Sequence, residues 1–372
     1  MNKPKSIGYR PTWAEINLGN LAHNFRQIRK LMPEGKIMVC VKADAYGHGI
    51  IPVSRKLVAC GADYLGVASI DEGIRLRREK IKAPVLILGL IMKEDIAPVF
   101  KYNLIPTVCT AELALALNNK AGLLGLRKAI HIKIDTGMGR IGSLYDDAFG
   151  FIKKVYKLKN LDIEGVFTHL ACADVNNDFT LHQIELFDNL VSKLYKAGIH
   201  IPLVHAANSM GVISYQNSHF NMVRPGLVIY GLHPRSGLNI DLKPVLSLKT
   251  RVVYAKKVPK GYGISYGHSY VTKSAARIVT LPIGYGDGYP RNLSNLAPVL
   301  IKGRKFKISG RICMDQIMVD VGDSRVRVGD EVVLIGRQGS RNILTEELAR
   351  LSGTIPYEIV CGLGSRIPRV YL

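Results

Sequence analysis

Residues Val41 to Gly49 read VKADAYGHG, and the apolar, β-rich run KIMVCV (Lys36 to Val41) leads straight into Lys42. Such a run reads as a buried strand. The small residues behind it, Ala43, Ala45, Gly47 and Gly49, read as a turn into a helix. Lys42 therefore stands at the carboxyl end of a strand, where α/β proteins keep their chemistry. A lysine in that position is poorly solvated, and a neutral amine is free for Schiff-base chemistry. A lone strand-end lysine more often snorkels to solvent. Tyr46 and His48, two polar aromatic tips within one turn, weigh the other way.

Outward from this stretch an alternation of strands and helices unfolds. Candidate strands are Ile37 to Val41, Tyr64 to Ala68, Val85 to Leu88, Ile105 to Cys109, Ala129 to Ile134, Ile163 to Thr168, Leu203 to His205, and Met222 to Val223. Helical patterns fall between most of them, including Ile51 to Ala59, Ala111 to Asn119, Ala148 to Leu158 and Leu181 to Ala197. Strands alternating with helices indicate a parallel sheet. Eight units predict a closed (β/α)8 barrel of the TIM type, with a doubly wound open sheet as the other architecture that fits the pattern. Ahead of them, Met1 to Arg10 is a polar tail expected to be loose, Thr12 to Leu18 a short strand and Leu21 to Met32 a helix. From Leu246 onward short alternating runs broken by glycine predict a mostly-β C-terminal domain, with one helix at Thr345 to Leu351 capped by Thr345 and stopped by Gly353. The expected division is residues 1–240 for the barrel and 241–372 for the β domain.

Composition narrows the function classes. The chain has 372 residues, 47% of them hydrophobic, enough for two domains and a large core. Its longest apolar run, Ala83 to Met92, is too short to span a bilayer. No apolar signal segment opens it, so a cytoplasmic location is expected. Six scattered cysteines form no CxxC pair, which argues against a metal site or a disulfide framework. The net charge of +22 raises nucleic-acid binding. The basic residues are dispersed and no nucleic-acid motif accompanies them, so a solvated basic surface, with neither nucleic acid nor membrane as partner, is the better account.

Polar residues punctuate the ends of the candidate strands. Lys42 ends the first. Arg140 follows the fifth in KIDTGMGRIG, and His169 ends the sixth in GVFTHLA. Asn208 and Ser209 follow the seventh in HAANSMG, and Arg224 ends the eighth in VRPGLVIYG. All fall on one rim, the rim that carries active sites in barrel enzymes. The loops after strands seven and eight commonly hold a phosphate. There Ser209 supplies a hydroxyl and Gly226, beside Leu227, a closely approachable backbone. Ser209 also suits a plain helix N-cap, and Gly226 a plain turn.

VKADAYGHG resembles the pyridoxal-phosphate lysine motif of the alanine racemases, and the motifs just quoted extend the resemblance over nearly the whole chain. So do GYGISYGHSY (Gly261 to Tyr270), IGYGDGYPR (Ile283 to Arg291), GRICMDQIMVD (Gly310 to Asp320) and IPYEI around Tyr357. The resemblance implies the barrel, pyridoxal 5'-phosphate on Lys42, and interconversion of L- and D-alanine that supplies peptidoglycan. It implies that Ser209, Gly226, Leu227 and Tyr357 hold the cofactor phosphate, with Tyr46 in the same cofactor-binding set. Arg224 would lie beside the pyridine nitrogen. Arginine can donate there but cannot favour a pyridinium, so the ring is a weaker electron sink than one facing a carboxylate. That disfavours the related decarboxylases, which carry a glutamate. Arg140 would contact the cofactor hydroxyl and the substrate carboxylate, held by a lysine matching Lys133 that is carbamylated in many members. An unmodified Lys133 paired with Asp135 is the plainer alternative. The resemblance makes Tyr266 the second catalytic base and brings the Met314 N–H to the substrate carboxylate, and a hydrogen-bonded link from Arg224 through His169 to Tyr266, favouring the phenolate, is a hypothesis added to it. It also implies a homodimer with shared sites, in which Tyr266 comes from the partner subunit. A broader racemase acting on serine or lysine shares these motifs. A cofactor carrier without turnover would lack the β domain.

Overall fold

The structure, a computed structural model, describes residues 9–235 and 237–372. Most of the loose polar tail expected at Met1 to Arg10 lies outside the described residues. The eight apolar runs become eight parallel strands: Lys36–Cys40, Tyr64–Val67, Val85–Ile87, Ile105–Val108, Lys128–Asp135, Leu161–Phe167, Leu203–His205 and Met222–Val223. Each pairs in parallel with the next up to the seventh, and the eighth returns to the first through Met222 opposite Lys36. No ladder joins the seventh to the eighth. There the Arg224 N–H donates to the Ala207 carbonyl at 2.9 Å, and the Val204 N–H to Asn221 Oδ1 at 2.8 Å. The result is a nearly closed barrel, as the alternation predicts, and not an open sheet.

Helices Ile50–Ala59, Ile70–Arg78, Ala111–Leu123, Tyr145–Tyr156 and Asn177–Lys196 pack outside. Local chemistry starts several of them. Ser69, Thr110 and Asn176 each accept the backbone N–H three residues on, the usual satisfaction of a free helix start. Inside one end of the barrel Met38, Tyr64, Leu86, Ile105, Leu203 and Met222 form an apolar layer, one residue from each of six strands. Above that layer the interior turns polar, and Gly165 makes room for it. A Cβ at Gly165 would lie 2.4 Å from the His131 ring.

The C-terminal part is mostly β. A seven-stranded sheet runs in the order Arg304–Lys307, Pro298–Ile301, Glu331–Gln338, Leu246–Arg251, Thr12–Ile16, Arg369–Tyr371, with Arg341–Ile343 added to Glu331–Gln338. Thr12–Ile16, ahead of the barrel in sequence, thus lies inside this sheet, antiparallel to Leu246–Arg251. Buried residues of the barrel and of this sheet share one continuous core. The helix at Thr345–Ser352 ends on left-handed Gly353, as expected, but Thr345 is its first residue and caps nothing. A further helix, Pro356–Cys361, lies against the turn that follows Lys42.

That turn departs from expectation. Lys42–Tyr46 does not start an ordinary helix: Ala43, Asp44, Ala45 and Tyr46 all have φ between 52° and 56°, a single left-handed turn built without glycine. Left-handed geometry costs roughly 1–2 kcal/mol for each L-residue. Tertiary bonds offset it. Glu72 accepts the Ala43 N–H at 2.6 Å and the Ala68 N–H at 2.7 Å. Asp44 accepts the Ile50 N–H and the Arg75 guanidinium, and Arg369 Nε donates to the Gly47 carbonyl at 3.0 Å. Gly47 is required where the chain passes the second helix, since a Cβ there would lie 2.3 Å from the Val360 carbonyl.

Candidate active site

Six of the sequence-derived rim residues, Lys42, Arg140, His169, Asn208, Ser209 and Arg224, line one cavity of about 420 Å³. Tyr46, Lys133, Gly226, Leu227 and Tyr357 also line it. Lys42 is part-buried rather than withdrawn from solvent. Its amine has no hydrogen-bond or ion-pair partner among the described residues. His48 turns away from the cavity, wholly buried, with Nδ1 against the Ala45 and Tyr46 carbonyls and its ring 4.6 Å from Tyr230. Burial pushes its imidazole down to about 4.

At one end of the cavity Ser209 Oγ accepts the Gly226 N–H at 3.0 Å. Ser209 opens the helix Ser209–Ser214, but the cap is Asn208, whose side chain accepts the Gly211 N–H. The N-cap alternative for Ser209 is therefore wrong, and its hydroxyl is left to the cavity. Gly226 is pressed on by Tyr46: a Cβ would lie 2.5 Å from Tyr46 Oη. Tyr46 is itself held between Tyr230 and Tyr357, at 4.8 and 5.9 Å between ring centroids. Burial raises the Tyr46 phenol well above its ordinary value and that of Tyr357 to about 12, so both are hydrogen-bond donors at neutral pH.

At the other end Arg224 is only 4% exposed. Nη2 donates to the carbonyls of Thr168 and Ala206 at 2.6 and 3.0 Å and reaches His169 Nδ1 at 3.5 Å. Nη1 donates to His205 Nδ1 at 2.9 Å. Nε takes part in none of these bonds and Nη1 makes only one, so a buried cation that lines the cavity keeps donors to spare. Burial lowers the guanidinium to about 10, which leaves it charged at neutral pH. Burial, with the charge of Arg224 behind it, holds His169 well below its ordinary value and hence neutral. Phe167 floors this end, with Lys133 Nζ 5.0 Å and Arg224 Cζ 5.2 Å from its ring centre.

Lys133 is the buried amine of the site, pushed down to about 7 by burial and then by Arg224 and Arg140. The proposed pairing with Asp135 does not form. Asp135 instead accepts the N–H groups of Gly137, Met138 and Gly139, bracing the loop that carries Arg140. No carboxylate oxygen lies within 4.0 Å of Lys133 Nζ among the described residues.

Tyr266 and Met314 stand elsewhere. They line a second, open cavity of about 690 Å³ with Ser265, Gly267, His268 and Cys313, and they are 67% and 53% exposed. A two-stranded hairpin, Gly263–Ile264 with Tyr270–Val271, presents Tyr266 in its turn. Ser265 Oγ, bonded to the Arg311 carbonyl at 2.6 Å, ties that turn to the loop of Met314. The two cavities share no lining residue, and neither Tyr266 nor Met314 lines the cavity of Lys42.

Sequence models of the alanine racemase N-terminal and C-terminal domains match residues 16–234 and 245–371. The chain belongs to the alanine racemase family. It is 51% identical over 367 residues to the alanine racemase of Halothermothrix orenii, covering 97% of both chains. The solved alanine racemase of Clostridium difficile 630 superposes with a TM-score of 0.92 at 41% identity, covering 97% of this chain and 96% of that one. The same enzyme in complex with cycloserine gives 0.90 at 40% identity, with the same coverage.

Sequence reasoning missed several groups beside the family motifs. Tyr230, whose Oη donates to the Cys40 carbonyl at 2.9 Å, backs Tyr46. His131 and His205 extend inward from Arg224. A signal for His131 was present: in KAIHIKID it stands two residues before Lys133, on the same strand face.

Proposed function

We propose that this chain racemises alanine, as its relatives' names indicate for them, with pyridoxal 5'-phosphate on Lys42. The observation that carries the proposal is the cavity itself. It has a free amine at one wall, spare donors on buried Arg224, and at Ser209 and Gly226 a hydroxyl beside a glycine that Tyr46 approaches too closely for any side chain. These groups suit a flat ring with an aldehyde and a phosphate. Ser209, Gly226, Leu227, Tyr46 and Tyr357 would hold the phosphate end, Arg224 the ring nitrogen, and Arg140 the ring hydroxyl.

When bound, the cofactor acidifies the α-proton of an amino acid joined to it. Lys42 Nζ then holds or returns a proton on one face, taking it from D-alanine. The partner subunit's Tyr266 does so on the other face, taking it from L-alanine. Arg224 donates to the ring without surrendering its own proton, which keeps the electron sink weak and favours proton return over side reactions. Arg140, and the partner subunit's Met314 through its N–H, orient the substrate carboxylate. Residues 1–240 in this scheme supply all of the cofactor's contacts but Tyr357, and 241–372 supply Tyr357 and deliver the second base to a head-to-tail partner. The exposure of Tyr266 and Met314 supports that division of labour. The product, D-alanine, would feed peptidoglycan. Six free cysteines accord with a reducing, cytoplasmic setting.

The test is to supply L-alanine, then L-serine and L-lysine, and to measure the D-isomer formed. Turnover of serine or lysine matching that of alanine would favour the broader racemase. Mixing inactive Lys42→Ala and Tyr266→Phe chains tests the shared site, since exchange restores one complete site per mixed dimer. No recovery after subunit exchange contradicts it.

A further inference from the structure

Behind Arg224 a file of polar side chains crosses the barrel interior. Arg224 Nη1 donates to His205 Nδ1 at 2.9 Å, and His205 Nε2 lies 2.9 Å from His131 Nδ1. His131 Nε2 lies 3.2 Å from Glu164 Oε2, and Tyr64 Oη donates to Glu164 Oε1 at 3.0 Å. Both histidines are completely buried. The file starts at the active-site rim and ends towards the opposite mouth, where Tyr64 opens its strand.

Its direction is set by chemistry. A guanidinium only donates, so His205 Nδ1 accepts and the His205 proton sits on Nε2. That N–H must donate to His131 Nδ1, which leaves the His131 proton on Nε2, aimed at a carboxylate that only accepts. Burial keeps both imidazoles neutral, His205 with the charge of Arg224 behind it. Burial works to raise Glu164, but the bonds from His131 and Tyr64 prevail and hold it below its ordinary value. Lys36 and Lys128 also face it. Arg224 has no carboxylate of its own within 4.0 Å among the described residues. Glu164 is the anion its hydrogen bonds lead to.

We propose that Glu164 is a positioning residue which, at the far end of the file from Arg224, helps to fix the tautomers of His131 and His205 and so keeps Arg224 turned as a donor toward the cofactor ring. This rests on the pyridoxal-phosphate reading above. Hydrogen-bonded chains polarise one another, and outer partners of site groups commonly act on a tenfold scale.

Two variants test it, Glu164→Gln, which keeps the shape and removes the charge, and Glu164→Leu, which removes the acceptor. The ring nitrogens are read by 15N NMR of histidine-labelled protein with and without cofactor, alongside kcat and KM for alanine. Wild type is expected to show both histidines protonated at Nε2 only. The variants are expected to add the Nδ1-protonated form, with kcat down about tenfold and KM nearly unchanged. If Glu164→Leu does not fold, the Gln variant alone decides. An unchanged kcat overturns the proposal, and so does a fall in kcat with both tautomers intact, which marks a merely structural role. A wild-type protein that leaves alanine unracemised sinks the functional reading instead, while the cofactor-free spectra still judge the file.

Discussion

Replacing Gly226 by alanine adds one methyl where Tyr46 already stands. The new carbon would lie 2.5 Å from Tyr46 Oη and 3.2 Å from Cζ, with Cys40 Cβ at 3.5 Å behind. Ordinary carbon contacts begin near 3.5 Å, so Tyr46 would have to retreat by about 1 Å. Its ring has little freedom, being buried against Tyr230 and near Tyr357. Overpacking of this kind costs about 1–3 kcal/mol. Expressed in cofactor affinity, at about 1.4 kcal/mol per factor of ten, that is roughly a ten- to hundredfold loss. Thermal unfolding and titration with pyridoxal phosphate read the two quantities. The closest clash is with the phenol oxygen, so Tyr46→Phe should relieve it: Gly226→Ala/Tyr46→Phe is expected to be more stable than Gly226→Ala alone. Such a coupling between neighbours is what a double-mutant cycle isolates. A Gly226→Ala protein as stable as wild type, or a double variant no better than the single, refutes the reasoning.

Lys133, pushed down to about 7 from 10.5, binds one proton fewer in the folded than in the unfolded chain between those values. Stability therefore rises with pH across that window. Lys133→Met should remove this contribution, and equal slopes of stability against pH in the two proteins would contradict it. The same neutral amine is the form that takes up carbon dioxide, so 13C-bicarbonate is expected to label wild type but not Lys133→Met. Tyr266→Phe should lower racemisation about 10²–10⁴-fold while D-alanine still exchanges its α-hydrogen with D2O through Lys42; loss of both together argues against two separate bases. Glu72→Ala strips the acceptor from the Ala43 and Ala68 N–H groups and should cost about 1–2 kcal/mol. It should also speed hydrogen exchange at residues 43–47, and protection left at the wild-type level would show that Glu72 does not brace the turn.

The barrel was legible because parallel strands buried on both faces are written as continuous apolar runs, and each expected strand is found within a residue or two at either end. The rim residues followed, since a strand end fixes where its last side chain can point. The left-handed turn was not legible. Ala43, Ala45 and Tyr46 carry no local preference for positive φ, and the geometry is imposed by Glu72, Arg75 and Arg369 from afar. Nor was the place of Thr12–Ile16, whose partner Thr250 lies 238 positions on. The file from Arg224 to Glu164 depends on the register of strands five, six and seven, which periodicity does not supply. The pairing of Lys133 with Asp135 failed because the Gly137–Met138–Gly139 N–H groups, visible only once the loop is folded, compete for the same carboxylate.

The left-handed turn has a bearing on how the protein is made. Its bracing reaches 322 positions downstream, from Gly47 to Arg369, and includes Val360 and Tyr371 packed against Gly47 and Gly49. A nascent chain on the ribosome can complete all eight strands and still lack the clasp that sets its lysine. A cofactor carried on Lys42 as proposed would therefore find its lysine set only once the polypeptide is finished.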